Sequence, residues 1–515
     1  MDDLLHLPPT TSHLVAHALS RDLDRVVLVG VNEEIVTARE MAAAISRFQQ
    51  VYEGLDPPVS RVAVLAKNRV EVVYATMGLA FAGILTTTLH PMGSVDDYLY
   101  VIEDAEIDTL IYDATLYEPA AVALKERASG LKNFLAMGDS DTGRDILALS
   151  RDYEPQRLEP RPSGPRDVIR IAYSGGTTGK PKGIMVSNQS SYTSAMLQEL
   201  TWEWPKDIRH LICAPLSHAG SAVLVSVLLR GGMMKVMPAF DVVEAMRMIE
   251  QYKITSVLMV PTMVIAIMDH PRFGEFDLSS LEVVFYGASP FPAARLKEAI
   301  EKFGKIFFQF YGQAEAPMSI TVMRKDEHDV DKPERIAGCG RPTPLVTVAL
   351  LDDDCSEVPD GQPGEICVRG PLVMEGYLNK PDETEAVFDG GWLHTGDVAV
   401  RSDDGFLRIV DRKKDMIISG GFNVFAREVE DVIVSVPGVR QAAVIGMPHE
   451  KWGETVMAVV VLEPGRDVSP DAIANAVREK KGAVQAPKRV EFVDALPLSA
   501  VGKPDKKALR AQFAA

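Results

Sequence analysis

The chain is 515 residues long, 46% hydrophobic and 24% charged, with 72 acidic against 54 basic side chains and a formal net charge of −18. That length and apolar content support a sizeable core divided over about three domain-sized units, or one large unit and a small one. The acidic balance excludes nucleic acid as a main partner, since phosphate backbones are bound by basic surfaces, yet it leaves room for a small nucleotide held by a local basic loop.

In chain order, Met1-Asp2-Asp3-Leu4 is acidic and lacks the basic start and apolar run of a signal peptide. Strand-like and helix-like segments then alternate. Val59–Leu65 reads as a strand, Val70–Phe81 as a helix, Ile84–Leu89 as a strand, Asp96–Asp104 as a helix and Asp108–Tyr112 as a strand. The pattern returns with a helix over Val242–Tyr252 and a strand over Ser256–Val260. The apolar run Ile254 to Met268 is broken by Pro261 and is shorter than the roughly 20 residues that span a bilayer, so no integral membrane segment is expected. A helix at Met263–Asp269 follows, then a strand at Leu281–Tyr286, a helix at Ala293–Phe303 and a strand at Ile306–Tyr311. Such alternation predicts parallel sheets covered by helices, with ligands beyond the carboxyl ends of the strands. The segments Gly287-Ala288-Ser289 and Tyr311-Gly312-Gln313 both follow predicted strands and are expected at one crevice.

From about residue 340 the texture becomes β-rich, with short strands at Val346–Leu351, Gly364–Arg369 and Phe406–Val410 between Pro/Gly/Asp turns. A charged run, Asp411-Arg412-Lys413-Lys414-Asp415, separates this from a compact α+β stretch. That stretch reads as helix (Ala426–Ser435), strands (Ala442–Gly446, Val456–Leu462), helix (Asp471–Lys480, with Ser469-Pro470 as its start) and strand (Val490–Val493). The four cysteines, Cys213, Cys339, Cys355 and Cys367, form no Cys-x-x-Cys pair and have no His cluster in the sequence. They read as free thiols of a reducing compartment, and the expected location is cytoplasmic.

The most informative stretch is Tyr173-Ser174-Gly175-Gly176-Thr177-Thr178-Gly179-Lys180-Pro181-Lys182-Gly183, after a strand ending near Ala172. Glycines allow tight turning and close approach to a ligand, and successive N–H groups form an anion-binding concavity. Hydroxyls and lysines add donors and positive charge, so the loop is read as a phosphate cradle. A plain flexible turn would carry Gly and Ser without the charge. It differs from the common nucleotide loop, which ends Gly-Lys-Ser/Thr and runs into a helix; here Pro181 disfavours helix at Lys180. No dinucleotide fingerprint is present.

The order Ser-Gly-Gly-Thr-Thr-Gly-Lys-Pro-Lys-Gly resembles the signature of the adenylate-forming superfamily, which includes acyl- and aryl-CoA ligases, peptide-synthetase adenylation domains and beetle luciferases. The resemblance covers nearly the whole chain. It implies that Ser174, Gly175, Gly176, Thr177, Thr178, Gly179 and Lys182 hold ATP phosphates. Tyr311-Gly312-Gln313-Ala314-Glu315 resembles the segment Tyr-Gly-x-Thr-Glu; it implies Tyr311 packed on adenine beside Gly312 and Gln313, and Glu315 binding Mg²⁺. Ala314 lacks the usual hydroxyl, worth about 0.5–1.5 kcal/mol of hydrogen bonding. Gly287, Ala288 and Ser289 match a small-residue segment along the adenine and acyl pocket. Asp397, in His394-Thr395-Gly396-Asp397, is by resemblance the ribose clamp, with Arg412 near it.

Pro215-Leu216-Ser217-His218-Ala219-Gly220 resembles the family's histidine motif, with Ser217 where an aromatic is usual. It implies that His218 lines the carboxylate end of the acyl pocket and that Gly220 borders it. Enzymes of this group that take amino acids place an Asp hereabouts; none lies between Cys213 and Leu229, and an unpaired buried ammonium is very costly. The stretch Leu216 to Leu229, with Phe285, Tyr286 and Ala316–Met318, is read as apolar pocket wall. Leu496 to Lys503 resembles the C-terminal signature that delivers a catalytic lysine, Lys503, to the α-phosphate; Lys506 and Lys507 are read as ordinary solvated lysines. Asp411–Lys414 matches the hinge, with Lys414 as pivot, and Gly421 matches a glycine bordering the pantetheine channel and, with Gly312, the acyl and CoA path. Ile418 stands where luciferases carry an extra lysine, which counts against light emission.

The expected architecture is α/β: a large N-terminal domain (1–410) of two helix-flanked sheets with a β-barrel-like subdomain (about 340–410), a hinge (411–415) and a small mobile α+β domain (416–515). The expected reaction is ATP-dependent acyl-CoA ligation of an apolar carboxylic acid through an acyl-adenylate, with Mg²⁺ as cofactor and ATP and CoA as co-substrates. A homodimer is a family-level expectation. Two alternatives stay open: transfer of the acyl group to a carrier protein, and a half-reaction or acyl-binding member in which Ala314, Gly175 and Ser217 mark lost adenylation.

Overall fold

A computed structural model of the protein describes residues 7–173, 181–419, 422–449, 452–497 and 504–513. By contacts the chain divides into two compact units: 1–174, 183–347 and 369–386 make the first, and 175–182, 348–368 and 387–515 the second. The charged run 411–415 falls inside the second unit by this division.

The first unit holds two large sheets. One has nine strands, and its middle six run parallel in the order Phe307–Gln313, Val283–Tyr286, Ser256–Met259, Arg209–Ile212, Met233–Val236, Val26–Val29. Val283–Tyr286 and Ser256–Met259 are buried along their whole length, as strands covered on both faces must be. The other sheet has eight strands, with Val168–Tyr173, Leu85–Thr88, Arg61–Leu65, Thr109–Asp113 and Asn133–Met137 parallel. Gly183–Ser187 folds back antiparallel on Val168–Tyr173. Each sheet has a topological switch point. After Arg61–Leu65 the chain goes to one neighbour and then to the other, and the same occurs at Arg209–Ile212.

Local chemistry accounts for many helix ends. Asp241 caps Val242–Tyr252, and Thr37 with Glu40 forms a capping box on Ala38–Glu53. The Val242–Tyr252 and Ala293–Phe303 helices have the bounds that periodicity predicts. Helix Ala38–Glu53 carried no reading from the sequence; its buried face, including Met41, Ile45 and Phe48, is set by the core it packs on.

The second unit has a four-stranded sheet of Thr347–Leu351, Pro363–Arg369, Leu393–Arg401 and Leu407–Arg412, and a further sheet built on the hairpin Val439–His449/Gly453–Leu462. The first strand of that hairpin runs past Gly446, where the sequence suggests a stop, because its partner keeps register to His449. Ser469 accepts the Ala472 N–H at the start of Pro470–Lys481, as expected. Lys506, read as solvated, instead pairs with Glu430 at 2.8 Å, with only 16% of its side chain exposed. Burial alone would lower its pKa, but Glu430 and Asp411 outweigh this and raise it.

All four cysteines are free thiols. No described helix is long and apolar enough to cross a membrane.

Buried histidines give the first unit a defined acid response. Burial lowers the pKa of His210 to about 3 and that of His328 to about 4. The unfolded chain therefore binds more protons between its own value of about 6.5 and these values, and stability falls as pH drops through that window, by at most about 1.4 kcal/mol per pH unit for each group. The His328 ring is held between the Tyr286 hydroxyl (2.9 Å) and the Arg324 carbonyl (2.7 Å). His328→Gln should flatten the fall in urea midpoint between pH 7 and 5; an unchanged slope would show that His328 does not carry it.

Candidate functional site

In the first unit, the segments singled out from the sequence lie at or beyond the carboxyl ends of strands. The register Tyr286↔Gln309 sets Gly287 beside Phe310. A Cβ on Gly287 would lie 2.4 Å from the Phe310 carbonyl and 2.6 Å from its ring. A Cβ on Gly312 would lie 2.4 Å from the Met318 nitrogen. Both positions admit only hydrogen, because the neighbouring strand backbone fills the space a side chain would take. Ala288 (φ 62°) and Met318 (φ 65°) hold left-handed backbone without being glycine; such strain clusters at ligand sites.

Tyr311 and Gln313 lie on strand Phe307–Gln313, with a register shift between them. Glu315 follows the turn. Its carboxylate accepts a hydrogen bond from the Tyr377 hydroxyl at 3.0 Å, and its carbonyl accepts the Met374 N–H. Burial and then the Glu315 charge raise the Tyr377 pKa, so the phenol stays a donor. Ala314 is exposed, so no buried group is left unsatisfied by the missing hydroxyl. Lys182 stands directly before Gly183, where strand Gly183–Ser187 begins. Ser174, Gly175, Gly176, Thr177, Thr178 and Gly179 lie outside the described residues, as do Gly421 and Lys503.

His218 follows Arg209–Ile212, at the switch point of its sheet. Its Nδ1 hydrogen-bonds the Ser217 hydroxyl at 2.8 Å, and its ring meets His90 edge-on at 5.0 Å between centroids. The residue is exposed overall, yet desolvation of its ring, then His90 and Arg170, bring its pKa down to about 4. It is neutral near pH 7. The Gly220 N–H closes the turn on the Pro215 carbonyl. Asn68, 5% exposed, follows the switch-point strand of the other sheet. Its Nδ2 donates to the Ala214 carbonyl at 3.0 Å and its Oδ1 accepts the Leu216 N–H at 2.7 Å. Thr88 adds a bond to the Ser217 carbonyl at 2.7 Å.

The apolar wall is only partly as expected. Leu216, Phe285 and Phe310 share one core cluster, with Met318 packed on it. Tyr286 does not join them: strand alternation turns it to the opposite face, against Phe291 and His328.

In the second unit, Asp397 is 3% exposed and takes Arg412 Nε at 2.5 Å across paired strands. The turn before it is fixed by Glu365. That buried carboxylate accepts the Gly396 N–H (2.8 Å), His394 Nδ1 (3.0 Å) and Lys413 Nζ (3.1 Å). Burial would raise the Glu365 pKa, but these donors outweigh it and hold it below the ordinary glutamate value. The fold also brings His394 within 3.4 Å of Cys367 and 3.8 Å of Cys355, a juxtaposition the sequence spacing hides. Glu365, Cys367 and His394 offer metal-ligand atoms together. Lys413 already supplies a cation on Glu365, so the group serves as scaffold for Gly396. Lys414 lies in the turn Lys413–Asp415, after strand Leu407–Arg412.

Sequence reading missed Asn68, His90, Glu365 and Tyr377. Asn68 and His90 follow predicted strands, so the carboxyl-end rule pointed toward them. Nothing local marks Tyr377, which lies 62 residues from its partner Glu315.

Residues 15–378 match the family described as AMP-binding enzyme, and residues 428–503 match the AMP-binding enzyme C-terminal domain. A medium/long-chain-fatty-acid–CoA ligase of Mycobacterium tuberculosis is 46% identical over 99% of this chain and 91% of its own. A feruloyl-CoA synthase of Amycolatopsis is 34% identical over 88% of this chain and 89% of its own. The structure of an amide bond synthetase from Marinactinospora thermotolerans superposes with a TM-score of 0.88 at 31% identity, covering 98% of this chain and all of that one.

The Asn68 bridge is directly testable. Asn68→Ala leaves a buried carbonyl and a buried N–H without partners, which should cost about 2–5 kcal/mol of stability. Thermal or urea unfolding that matches the wild type would show that the bridge is dispensable.

Proposed function

The chain belongs to the AMP-binding enzyme family, and from that premise we propose that it is an ATP-dependent acyl-CoA ligase. A carboxylic acid and ATP give acyl-AMP and pyrophosphate; CoA thiol then gives acyl-CoA and AMP. The observation that carries the reading is that Gly287, the Tyr311–Glu315 segment and the His218 loop all lie at or beyond the carboxyl ends of parallel strands of one sheet, with Gly287 packed directly beside Phe310.

Each residue has a role in keeping with its surroundings. Tyr311 packs on adenine, with Gly287, Ala288, Ser289, Gly312 and Gln313 beside it. Glu315, oriented by Tyr377, suits Mg²⁺, a hard cation that takes oxygen ligands. When bound, that ion offsets phosphate charge. Asp397 accepts the ribose hydroxyls, and its ion pair with Arg412 keeps it aimed. Residues Ser174–Gly179 and Lys182 hold phosphates, as the resemblance implies. Neutral His218 lines the carboxylate end, with Gly220 beside it. Lys503 stabilises charge at the α-phosphorus as the acid attacks; no protein nucleophile is needed, because catalysis at phosphorus is mainly positioning and electrostatics. Lys414 is the pivot between the two half-reactions, and Gly421 borders the thiol path.

The acid is apolar over the part that meets Leu216, Phe285, Phe310 and Met318. Free thiols and the absence of a membrane-length helix among the described residues support a cytoplasmic setting. The homodimer stands on family resemblance.

Two substitutions test the reading. Lys503→Ala should cut acid-dependent ATP–pyrophosphate exchange by about 10²–10³-fold while still converting synthetic acyl-AMP to acyl-CoA; equal loss of both would sink the role given to Lys503. Tyr377→Phe should raise the Mg²⁺ concentration for half-maximal activity by about 3- to 10-fold, the worth of one hydrogen bond to a charge, with the KM for the acid unchanged. A shift confined to the acid would place Glu315 elsewhere in the chemistry.

A further inference from the structure

One charged side chain of the first unit takes no part in the chemistry above. Arg170 lies within strand Val168–Tyr173. In the parallel register it stands beside Thr86, and Thr86 stands beside Val62. Side chains paired in register share a face of the sheet. Val62 and Val64 belong to the core that also holds Leu216, Phe285 and Phe310. Thr88, two residues beyond Thr86 and so on the same face, reaches the Ser217 carbonyl. Arg170 is therefore aimed at the core shared by both sheets, on the side that carries His218 and His90.

Its Nε is closed to solvent and has no hydrogen-bond partner among the described residues, while the residue as a whole is only half-buried. Burial lowers its pKa, with no acidic neighbour to offset the effect. The hydroxyl protons on this face go elsewhere, Thr86 to the Ile84 carbonyl and Thr88 to the Ser217 carbonyl, while Ser217 bonds His218, and none of these oxygens accepts from Arg170 Nε. A guanidinium that gives up water without gaining an acceptor is strongly disfavoured. It is tolerated where a ligand brings the acceptor, and its planar fork of donors suits carbonyl and carboxylate oxygens.

We propose that Arg170 receives an oxygen of the acyl group, so that the preferred acid is an otherwise apolar one bearing a ketone or a second carboxylate in addition to the carboxylate that is activated. The proposal rests on the acyl-CoA ligase reading. It sets the substrate apart from a plain alkyl acid, which would leave Arg170 Nε without an acceptor, as it is among the described residues of the free protein.

Matched acids test it with the full chain, ATP and CoA, by pyrophosphate release: octanoate against 7-oxooctanoate and octanedioate, and 3-cyclohexylpropanoate against 3-(4-oxocyclohexyl)propanoate. Wild type should favour an oxygenated member by about 10- to 100-fold in kcat/KM, the span of one charge-assisted hydrogen bond. Arg170→Met should bring that ratio to about one while the KM for ATP stays the same. Because the substitution removes an unpaired cation, the free variant should also melt at a higher temperature than wild type, a readout independent of turnover. Equal use of alkyl and oxygenated acids by wild type, equal loss of both in the variant, or a lower melting temperature would each overturn the proposal. No pyrophosphate release with any acid would overturn the ligase reading, and the proposal with it.

Discussion

The bridge made by Asn68 is the constraint on which the first unit's site depends. Two parallel sheets each open a crevice where the strand order reverses, and ligands collect at such points. Two separate crevices would make two weak sites. Asn68 leaves the switch point of one sheet and satisfies a carbonyl and an N–H in the loop leaving the switch point of the other. An amide does this well because it offers a donor and an acceptor from one rigid plane. Thr88 adds a further tie one residue before His218. Together these bonds hold His218 against His90 and convert two sheet edges into one site.

The remaining features follow from what must fit there. Gly287 and Gly312 are glycines because neighbouring backbone occupies the space of any side chain. Ala288, next to Gly287, and Met318, on the strand paired with that of Gly312, take left-handed backbone, a cost the surrounding strands support. Glu315 is steered by a phenol that its own charge, together with burial, keeps protonated. The second unit shows the same logic around Glu365. One buried carboxylate gathers three donors and so sets the turn that presents Asp397. In both units the motif carboxylates, Glu315 and Asp397, are positioned by residues that carry no motif.

Much of this was legible from local pattern. Fully apolar four-residue strands such as Val283–Tyr286, and helices with an apolar face such as Ala293–Phe303, show their type because burial on a regular element imposes a period. The motif segments Gly287–Ser289, Tyr311–Glu315 and Thr395–Asp397 were legible too, because close backbone approach and charge placement demand particular residue types. The reading failed where a residue's role is set across distance. Lys506 looks like a solvated terminal lysine until Glu430 is brought to it. Tyr286 looks like pocket wall until strand alternation turns it toward His328.

The sequence by itself therefore determined the family and the alternation of strands and helices, since each rests on short-range geometry within a few consecutive positions. Only the tertiary structure decided that Asn68 joins the two switch points, that Tyr377 steers Glu315, that Glu365 organises the turn before Asp397, and that Arg170 Nε turns toward the shared core with no acceptor among the described residues. The physical reason is that hydrogen bonding and desolvation depend on which groups meet, and these partners lie tens to more than a hundred residues apart along the chain.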